Sequence, residues 1–226
     1  MKISKSSLGI FQSCKRKYFY GILGYEREFD EESERIMTYG KEFHKILEDY
    51  NQSTINSSDN LKVPLKYLDL FNAYKVFVEK LYIDGWKIFG YEMALSNANI
   101  TGIIDLILKN GDDYLIIDYK TIIKMNDFNS QKYSNELAIY KHLLSESLNI
   151  PFDKIKTAIV RLVQNGTDID INFVEIDKLI TSNVLENVDY IDNFISNNSR
   201  IDEYEMVDKL KMGYTCRYCE FYKICK

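Results

Sequence analysis

Residues 102–121 read GIIDLILKNGDDYLIIDYKT, in which two isoleucine-rich segments flank a polar tetrapeptide. Apolar residues that recur with period two predict strands over residues 99–109 and 114–121. The Asn110–Asp113 sequence, with its Asn-Gly pair, is typical of a tight turn. This stretch therefore predicts a β-hairpin at the centre of the fold, and the rest of the chain is assigned around it.

The predicted hairpin carries Asp105, Asp118 and Lys120 inside apolar strands, where charged side chains are unfavourable. A two-residue loop sets Asp105 opposite Ile116, and a four-residue loop over Asn110–Asp113 sets it opposite Asp118. In either register the three charged side chains share one face, whereas a three-residue loop would separate them. Adjacent carboxylates repel and favour Mg²⁺ or Mn²⁺ between them. The alternative is an edge aspartate beside a surface Asp–Lys pair.

Length, composition and charge limit the class of protein. The chain has 226 residues, 46% hydrophobic and 28% charged, which predicts a globular domain. No apolar run is long enough for a membrane span, and the N-terminus does not resemble a signal peptide, so we expect a cytoplasmic protein without a membrane partner. The net charge is −5, but residues 1–27 carry +5 and residues 207–226 carry +3. These basic ends could attract nucleic acid, although chance clustering is the alternative.

Apolar periodicity assigns further elements on both sides of the hairpin. Residues 6–23 predict a short helix followed by a basic, aromatic segment, and residues 51–60 predict a polar loop. The order of the elements indicates one mixed α/β domain. The remaining predicted helices cover residues 33–50, 64–83, 131–148 and 178–197. The remaining predicted strands cover residues 88–95, 156–164 and 170–176.

The cysteines lie only in the two basic ends, at Cys14, Cys216, Cys219 and Cys225. Disulfides are not expected in a chain without a secretory signal. Four thiols suit an iron–sulfur cluster or Zn²⁺, and one close pair with two single cysteines favours a cubane cluster over zinc. Unrelated thiols are the third alternative. A metal site here would link the two ends of the chain.

Several segments resemble motifs of the PD-(D/E)XK nuclease superfamily. Asp105 with Asp118-Tyr119-Lys120 resembles its active site, and Gly102-Ile103-Ile104-Asp105 resembles the Gly-x-x-Asp of its RecB-like branch. Gly40–His44 resembles the helical motif with a metal-binding histidine. Glu136–Tyr140 resembles the Gln-x-x-x-Tyr helix, with Glu136 in place of glutamine. The cysteines are similar to the iron–sulfur clasp of CRISPR-associated RecB-like exonucleases and AddB-type nuclease domains.

The resemblance implies an α/β fold with a mixed central β-sheet flanked by helices, as in restriction endonucleases. It implies an iron–sulfur-clasped lobe formed by both chain ends. We expect residues 1–226 to form a single nuclease domain, with a core over about 33–200. The clasp would comprise about 1–27 and 205–226.

The resemblance also implies the roles of individual residues. His44, Asp105, Asp118 and the backbone carbonyl of Tyr119 would bind Mg²⁺ or Mn²⁺. Lys120 would position the nucleophile or stabilise the transition state. The [4Fe-4S] cluster would be structural. The cluster ligands would be Cys14, Cys216, Cys219 and Cys225. The candidate DNA contacts are Lys15, Arg16, Lys17, Glu136 and Tyr140.

The basic stretch at residues 15–17 precedes Tyr18, Phe19 and Tyr20, whose rings could stack on single-stranded bases. The alternative is that these rings pack around the cysteines. Glu92, in the strand before Asp105, is a candidate additional metal-site group. His142, without a motif partner, is expected to be structural or at the surface.

The combined interpretation is a metal-dependent DNA nuclease, with an exonuclease acting on single-stranded ends as the expected activity. One alternative is a nuclease subunit of a DNA-processing assembly, which trims DNA for an integrase in CRISPR adaptation or works with a helicase, as opposed to a free-standing phage-type recombination or repair nuclease. Others are a non-catalytic DNA-binding module and a redox- or iron-sensing protein. The composition, rich in Lys, Ile and Asn, indicates a bacterial or phage-encoded chain.

Overall fold

The computed structural model describes residues 2–56, 61–124 and 130–197, together with 216 and 219–225. The chain order of its elements is β1, α1 to α4, β2 to β4, α5, β5, β6 and α6. Within these ranges no helix combines the length and the apolar character needed to cross a bilayer. The helices are α1 (Lys5–Ser13), α2 (Lys15–Ile22), α3 (Glu31–Asn56), α4 (Leu68–Ile83), α5 (Ser130–Leu148) and α6 (Lys178–Asn197). The strands are β1 (Ile3–Ser4), β2 (Lys87–Ser96), β3 (Ile100–Asn110), β4 (Asp113–Ile122), β5 (Ile155–Val163) and β6 (Ile169–Phe173).

The six strands form one mixed sheet, in which β2 lies on one side of β3, β1 and β4 pair along its other side, and β5 and β6 follow β4. β3 pairs antiparallel with β2 and β4, and β4 pairs parallel with β5 through the α5 crossover. The mixed α/β class and the central sheet flanked by helices are therefore confirmed.

Two apolar cores cover opposite faces of the sheet. One contains buried residues of α1, α5 and α6, including Leu8, Leu137 and Val188. The other contains residues of α3 and α4, including Phe43 and Tyr74. Each long helix is stabilised by burying its apolar side in one of these cores. Polar side chains of these helices can therefore approach the sheet from either of its two faces.

The N-terminal end differs from the sequence prediction in two respects. The predicted basic, aromatic segment is itself helical, as α2, because the Cys14 side chain accepts from the Lys17 backbone N–H and caps it. Before α1, Ile3 and Ser4 form the short strand β1, parallel to Ile100 and Thr101 of β3. A strand of two residues leaves too little periodicity to be recognised in sequence.

The predicted polar loop at residues 51–60 is wrong over its first part, since α3 continues to Asn56; residues 57–60 lie outside the described residues. Ser53 and Thr54 donate their hydroxyls to the Tyr50 carbonyl, which satisfies polar side chains within a helix. Asn51 is buried against the neighbouring helix. Polar composition alone therefore concealed the last turns of α3.

Candidate active site

The β3–β4 hairpin has the register that the predicted four-residue loop required. Leu106 pairs with Ile117, and pairing continues to Asn110 and Asp113, so the turn itself is reduced to two residues. One step beyond Leu106, Asp105 faces Asp118. There the Asp105 Oδ2 atom accepts the Tyr119 backbone N–H at 2.7 Å in place of a strand carbonyl. The carboxylate is thus held where the two strands separate.

One imidazole and one further carboxylate converge beside Asp105, those of His44 and Glu92. The ligand atoms of His44, Glu92 and Asp105 all lie within 4.8 Å of one another, and His44 Nδ1 is 4.0 Å from Asp105 Oδ2. Two carboxylates and a neutral imidazole suit Mg²⁺ or Mn²⁺, with Mn²⁺ the better match for the nitrogen ligand. The described residues therefore fit the metal that the sequence predicted.

Glu92 is the member of this cluster whose role the sequence left open. The β2–β3 register places it opposite Asp105, between the Tyr91–Leu106 and Met93–Ile104 pairs. Its φ angle is 41°, in the left-handed region that a glutamate seldom adopts. Such strain persists where surrounding structure enforces it, and it is concentrated at functional sites. An isolated glutamate in strand β2 gave no motif by which the sequence could assign it.

Asp118 lies next to this cluster with both oxygens on ammonium groups. Its side chain is completely buried, with Oδ1 2.7 Å from Lys5 Nζ and Oδ2 2.7 Å from Lys120 Nζ. Burial opposes ionisation, but the charges of Lys120 and Lys5 and their hydrogen bonds prevail and lower the pKa of Asp118. Asp118 is therefore the permanent anion of the site.

Lys120 contacts a second carboxylate on α5. Its Nζ atom is 2.7 Å from Glu136 Oε2, and the Glu136 side chain is 9% exposed. A glutamate at this position therefore interacts favourably with the lysine. The structure gives Glu136 a contact with Lys120 and little surface through which to reach DNA.

Two other titratable groups of the site, His44 and Asp105, have pKa values that burial shifts in opposite directions. Burial lowers the pKa of His44, which favours the neutral imidazole that ligates metals. Burial, followed by the charge of Asp118, raises the pKa of Asp105. Without a divalent cation, the ionised form of Asp105 is thus unfavourable in the folded protein.

The two sequence motifs around Gly102 and Tyr140 contact one another. A Cβ atom at Gly102 would lie 2.9 Å from Tyr140 Cε1, so only glycine leaves room for this ring. Tyr140 has no exposed surface, and its hydroxyl has no hydrogen-bond partner among the residues that the structure describes. Burial, followed by the charges of Asp118 and Asp105, raises the pKa of this hydroxyl. Direct DNA contact by the ring is not available in this conformation.

A buried hydrogen-bond chain supports the site from the other face. The hydroxyls of Tyr74 and Tyr119 are 2.5 Å apart, and Tyr74 also donates to Asn51 at 3.4 Å. The Tyr119 ring meets His44 edge to face, with centroids 5.9 Å apart. Helices α3 and α4 thereby fix Tyr119, whose carbonyl is a predicted metal ligand.

The predicted cysteine clasp brings together the two ends of the chain. Glu28 N donates to Glu220 O at 2.9 Å, and Tyr20 donates to the Ile224 carbonyl at 3.2 Å. All four cysteines are free and partly buried. Burial raises the pKa of Cys225, and the other three thiols add to this effect after an opposing contribution from Arg16. The two hydrogen bonds thus bring the end of the chain that carries Cys14 next to the end that carries Cys225.

The basic, aromatic stretch of α2 packs into this clasp. Tyr18, Phe19 and Tyr20 are buried, so their rings are not available for base stacking. Lys17 pairs with Glu220 at 2.7 Å, and the Lys15 ammonium faces the Phe194 ring at 5.0 Å. The alternative in which the rings pack is therefore the one that the structure supports. Arg16 also makes contacts within the protein.

Two solved structures illustrate the likeness of the whole chain to known proteins. A candidate exonuclease from Eubacterium rectale superposes with a TM-score of 0.61 at 11% identity, covering 100% of this chain and 88% of that one. A phage-related exonuclease from Haemophilus somnus 129PT has 15% identity and a TM-score of 0.37, covering 88% and 97%. The first likeness shows a shared fold. No curated protein matches the sequence significantly.

A family model gives the assignment that the structural likeness cannot give. The model of the PD-(D/E)XK nuclease superfamily matches residues 2–226, nearly the entire chain. This match agrees with the mixed sheet and with the acidic site on its central hairpin. The chain belongs to the PD-(D/E)XK nuclease superfamily.

Proposed function

We propose that the protein is a divalent-metal-dependent exonuclease that hydrolyses phosphodiester bonds at single-stranded DNA ends. Superfamily membership supports a hydrolytic nuclease with DNA as its substrate. The observation that carries the proposal is the convergence of His44, Glu92 and Asp105 beside the Asp118–Lys120 ion pair. The nitrogen and oxygen ligands of a hard cation thus lie next to an ammonium group.

The metal site would use His44, Glu92 and Asp105, with Asp118 and the Tyr119 carbonyl completing it. A bound Mg²⁺ or Mn²⁺ would lower the pKa of a water molecule and neutralise charge on the scissile phosphate. Around it, the Tyr119 N–H fixes Asp105 through a 2.7 Å hydrogen bond. Such hydrogen bonds to a ligand orient it and tune its affinity.

Lys120 would stabilise the negative charge that develops on the phosphate during hydrolysis. Asp118 and Glu136 hold its ammonium group at 2.7 Å each, so its position is set before substrate binds. A preorganised cation in a water-poor site lowers the energy of an anionic transition state. The same contacts keep Lys120 protonated.

The clasp would hold a structural [4Fe-4S] cluster between Cys14, Cys216, Cys219 and Cys225. The contacts between the two cysteine-bearing ends of the chain support this placement. Zinc is the alternative that metal analysis of anaerobically purified protein distinguishes. No step of the proposed hydrolysis uses the cluster.

The test is digestion of end-labelled linear single-stranded DNA with Mn²⁺, compared with circular single-stranded DNA of the same sequence. We expect the linear strand to be degraded from its end and the circle to persist. The Asp105→Asn variant should lose activity by about 10³-fold, because several kcal/mol of metal-dependent stabilisation is removed. Asparagine still accepts the Tyr119 N–H, so the fold is retained.

Asp112→Asn is the matched control, since this exposed aspartate occupies the turn of the same hairpin. It should cleave like the wild type. If the protein cut the circular DNA, its activity would be that of an endonuclease and the exonuclease proposal would be wrong. Wild-type protein that binds DNA but cuts neither substrate with Mn²⁺ or Mg²⁺ would instead indicate a non-catalytic DNA-binding module.

A further inference from the structure

A second lysine enters the candidate active site from the N-terminal end of the chain. Lys5 Nζ lies 2.7 Å from Asp118 Oδ1, although 113 residues separate them in sequence. The same ammonium group lies over the Tyr140 ring, 4.6 Å from its centroid. Lys5 belongs to none of the motifs that the sequence analysis identified.

The position of Lys5 is fixed by the fold. Ile3 and Ser4 pair with β3, and Ser4 then caps α1 by accepting from the Ser7 backbone N–H at 3.1 Å. Since β2 occupies one side of β3, β1 and β4 share its other side. Lys5 directly follows β1, so its side chain meets Asp118 where β3 and β4 separate.

The two lysines of the site have different surroundings. Lys120 contacts two carboxylates, those of Asp118 and Glu136, at 2.7 Å each. Lys5 contacts a single carboxylate oxygen at that distance, and its side chain is 22% exposed. Lys5 thus has fewer anionic partners than Lys120 and part of its side chain is open to solvent. An incoming anion can therefore reach the Lys5 ammonium group.

We propose that Lys5 is a substrate-binding residue of the active site, which leaves Asp118 when a divalent metal ion binds and contacts a phosphate of the DNA strand. The inference rests on the proposed function. A divalent cation that shares Asp118 repels Lys5, because both compete for the same carboxylate. A partly buried ammonium group needs an anionic partner, and the phosphate of the substrate is the anion that a nuclease brings to this place.

The unpaired hydroxyl of Tyr140 supports a ligand on the same side of the site. This hydroxyl is fully buried and has no hydrogen-bond partner in the described part of the chain. Its ring carries the Lys5 ammonium. A water molecule held next to Lys5 by a bound phosphate would also satisfy this donor.

Competition and substrate contact predict opposite effects of one substitution. In Lys5→Met, Mn²⁺ no longer displaces a lysine, so calorimetry should show about 3- to 10-fold tighter Mn²⁺ binding to the iron-loaded protein. At saturating Mn²⁺, single-turnover cleavage should nevertheless slow by about 10- to 100-fold. With Ca²⁺ in place of Mn²⁺, the slope of log Kd against log salt for single-stranded DNA should fall by about 0.7, the value for one phosphate contact.

Lys2→Met is the matched control. It removes the same charge three residues before Lys5, and Lys2 is an exposed lysine that contacts Ser96. It should leave Mn²⁺ affinity and cleavage unchanged. Lys5→Arg keeps the charge and should keep the salt slope, which separates loss of charge from loss of fold. If the Lys5→Met variant cleaved at the wild-type rate at saturating Mn²⁺, or if it bound Mn²⁺ more weakly than the wild type, Lys5 would be only a structural counter-ion of Asp118.

The experiment separates this inference from the proposed function. If the wild type cleaves and Lys5→Met cleaves equally, the nuclease assignment stands and the role of Lys5 is wrong. If the wild type does not cleave, the nuclease assignment fails. The calcium titration still decides whether Lys5 contacts phosphate, since it requires no cleavage.

Discussion

The acidic cleft and the cysteine clasp are both assembled from distant parts of the chain, but by different means. In the cleft, Asp105 and Asp118 lie on paired strands with a shared ladder and are covered by two apolar cores. In the described part of the clasp, the chain ends meet through two hydrogen bonds, two ion pairs and the Tyr20–Phe221 ring contact. The cleft is therefore built by the sheet, whereas the described contacts of the clasp join α2 and the loop after it to the C-terminal segment.

The difference teaches where each region would need its metal. The cleft already holds its ligands in place, and the unfavourable ionisation of Asp105 is the cost of keeping them together. There the metal supplies chemistry. In the clasp, a metal that links Cys14 to the C-terminal cysteines would supply stability, since it closes a loop of some 200 residues. Three predictions test this division, ordered by the size of the expected effect on stability.

The largest effect is expected from Cys219→Ser in the clasp. This variant should lose its visible absorption and most of its iron. Its free energy of unfolding should fall by about 5 kcal/mol, the loss expected when a link across so long a loop is removed. Scanning calorimetry should then show a melting temperature lower by about 10 °C.

The matched control for this variant is Ser13→Ala, at the exposed end of α1. It should keep both the iron and the melting temperature. A Cys219→Ser protein that lost its iron without loss of stability would contradict the structural role of the clasp.

An intermediate effect is expected from Gly102→Ala beneath the cleft. The added methyl group would lie 2.9 Å from Tyr140 and 3.3 Å from Leu143, both buried. Overpacking of this kind costs about 1–3 kcal/mol, which chemical denaturation can measure. Gly9→Ala in α1 is the control: no atom lies within 4 Å of its added Cβ, so its stability should be unchanged or slightly increased. Equal stability of the two variants would contradict the close packing at Gly102.

The smallest effect, and one of opposite sign, is expected from Asp105→Asn in metal-free protein. Because the pKa of Asp105 is raised in the folded state, its ionisation destabilises the fold as the pH rises from the ordinary carboxyl range towards neutrality. Removing the charge should therefore stabilise the fold by about 1 kcal/mol at pH 8, and by less at pH 5. Thermal unfolding in the presence of EDTA measures this difference. A variant less stable than the wild type at pH 8 would show that Asp105 supports the fold as well as the chemistry.

Helices and strands whose apolar residues recur with a regular period were predicted well from sequence. The predicted helix at 131–148 and strands at 99–109 and 114–121 agree with α5, β3 and β4 to within one residue at each end, because apolar alternation reports burial directly. The predicted strand at 170–176 was too long, since β6 ends at Phe173. Edge strands have a single partner, so their ends follow the neighbouring strand rather than their own sequence.

Contacts that depend on separate elements were not visible in the sequence. Glu92 reaches the metal cluster through the β2–β3 register and a positive φ angle. Lys5 reaches Asp118 because a strand of two residues joins the sheet before α1. Neither feature has a local pattern.

The sequence by itself determined the class of the fold and the hairpin with its three charged residues on one face, whereas the choice between its two possible registers came from the structure. It could do so because hydrophobic periodicity and turn chemistry are local properties of the chain. The tertiary structure decided which side chains complete the site and how their charges are balanced. Those outcomes depend on contacts across more than a hundred residues, such as Lys5 with Asp118, which only the packed sheet and helices define.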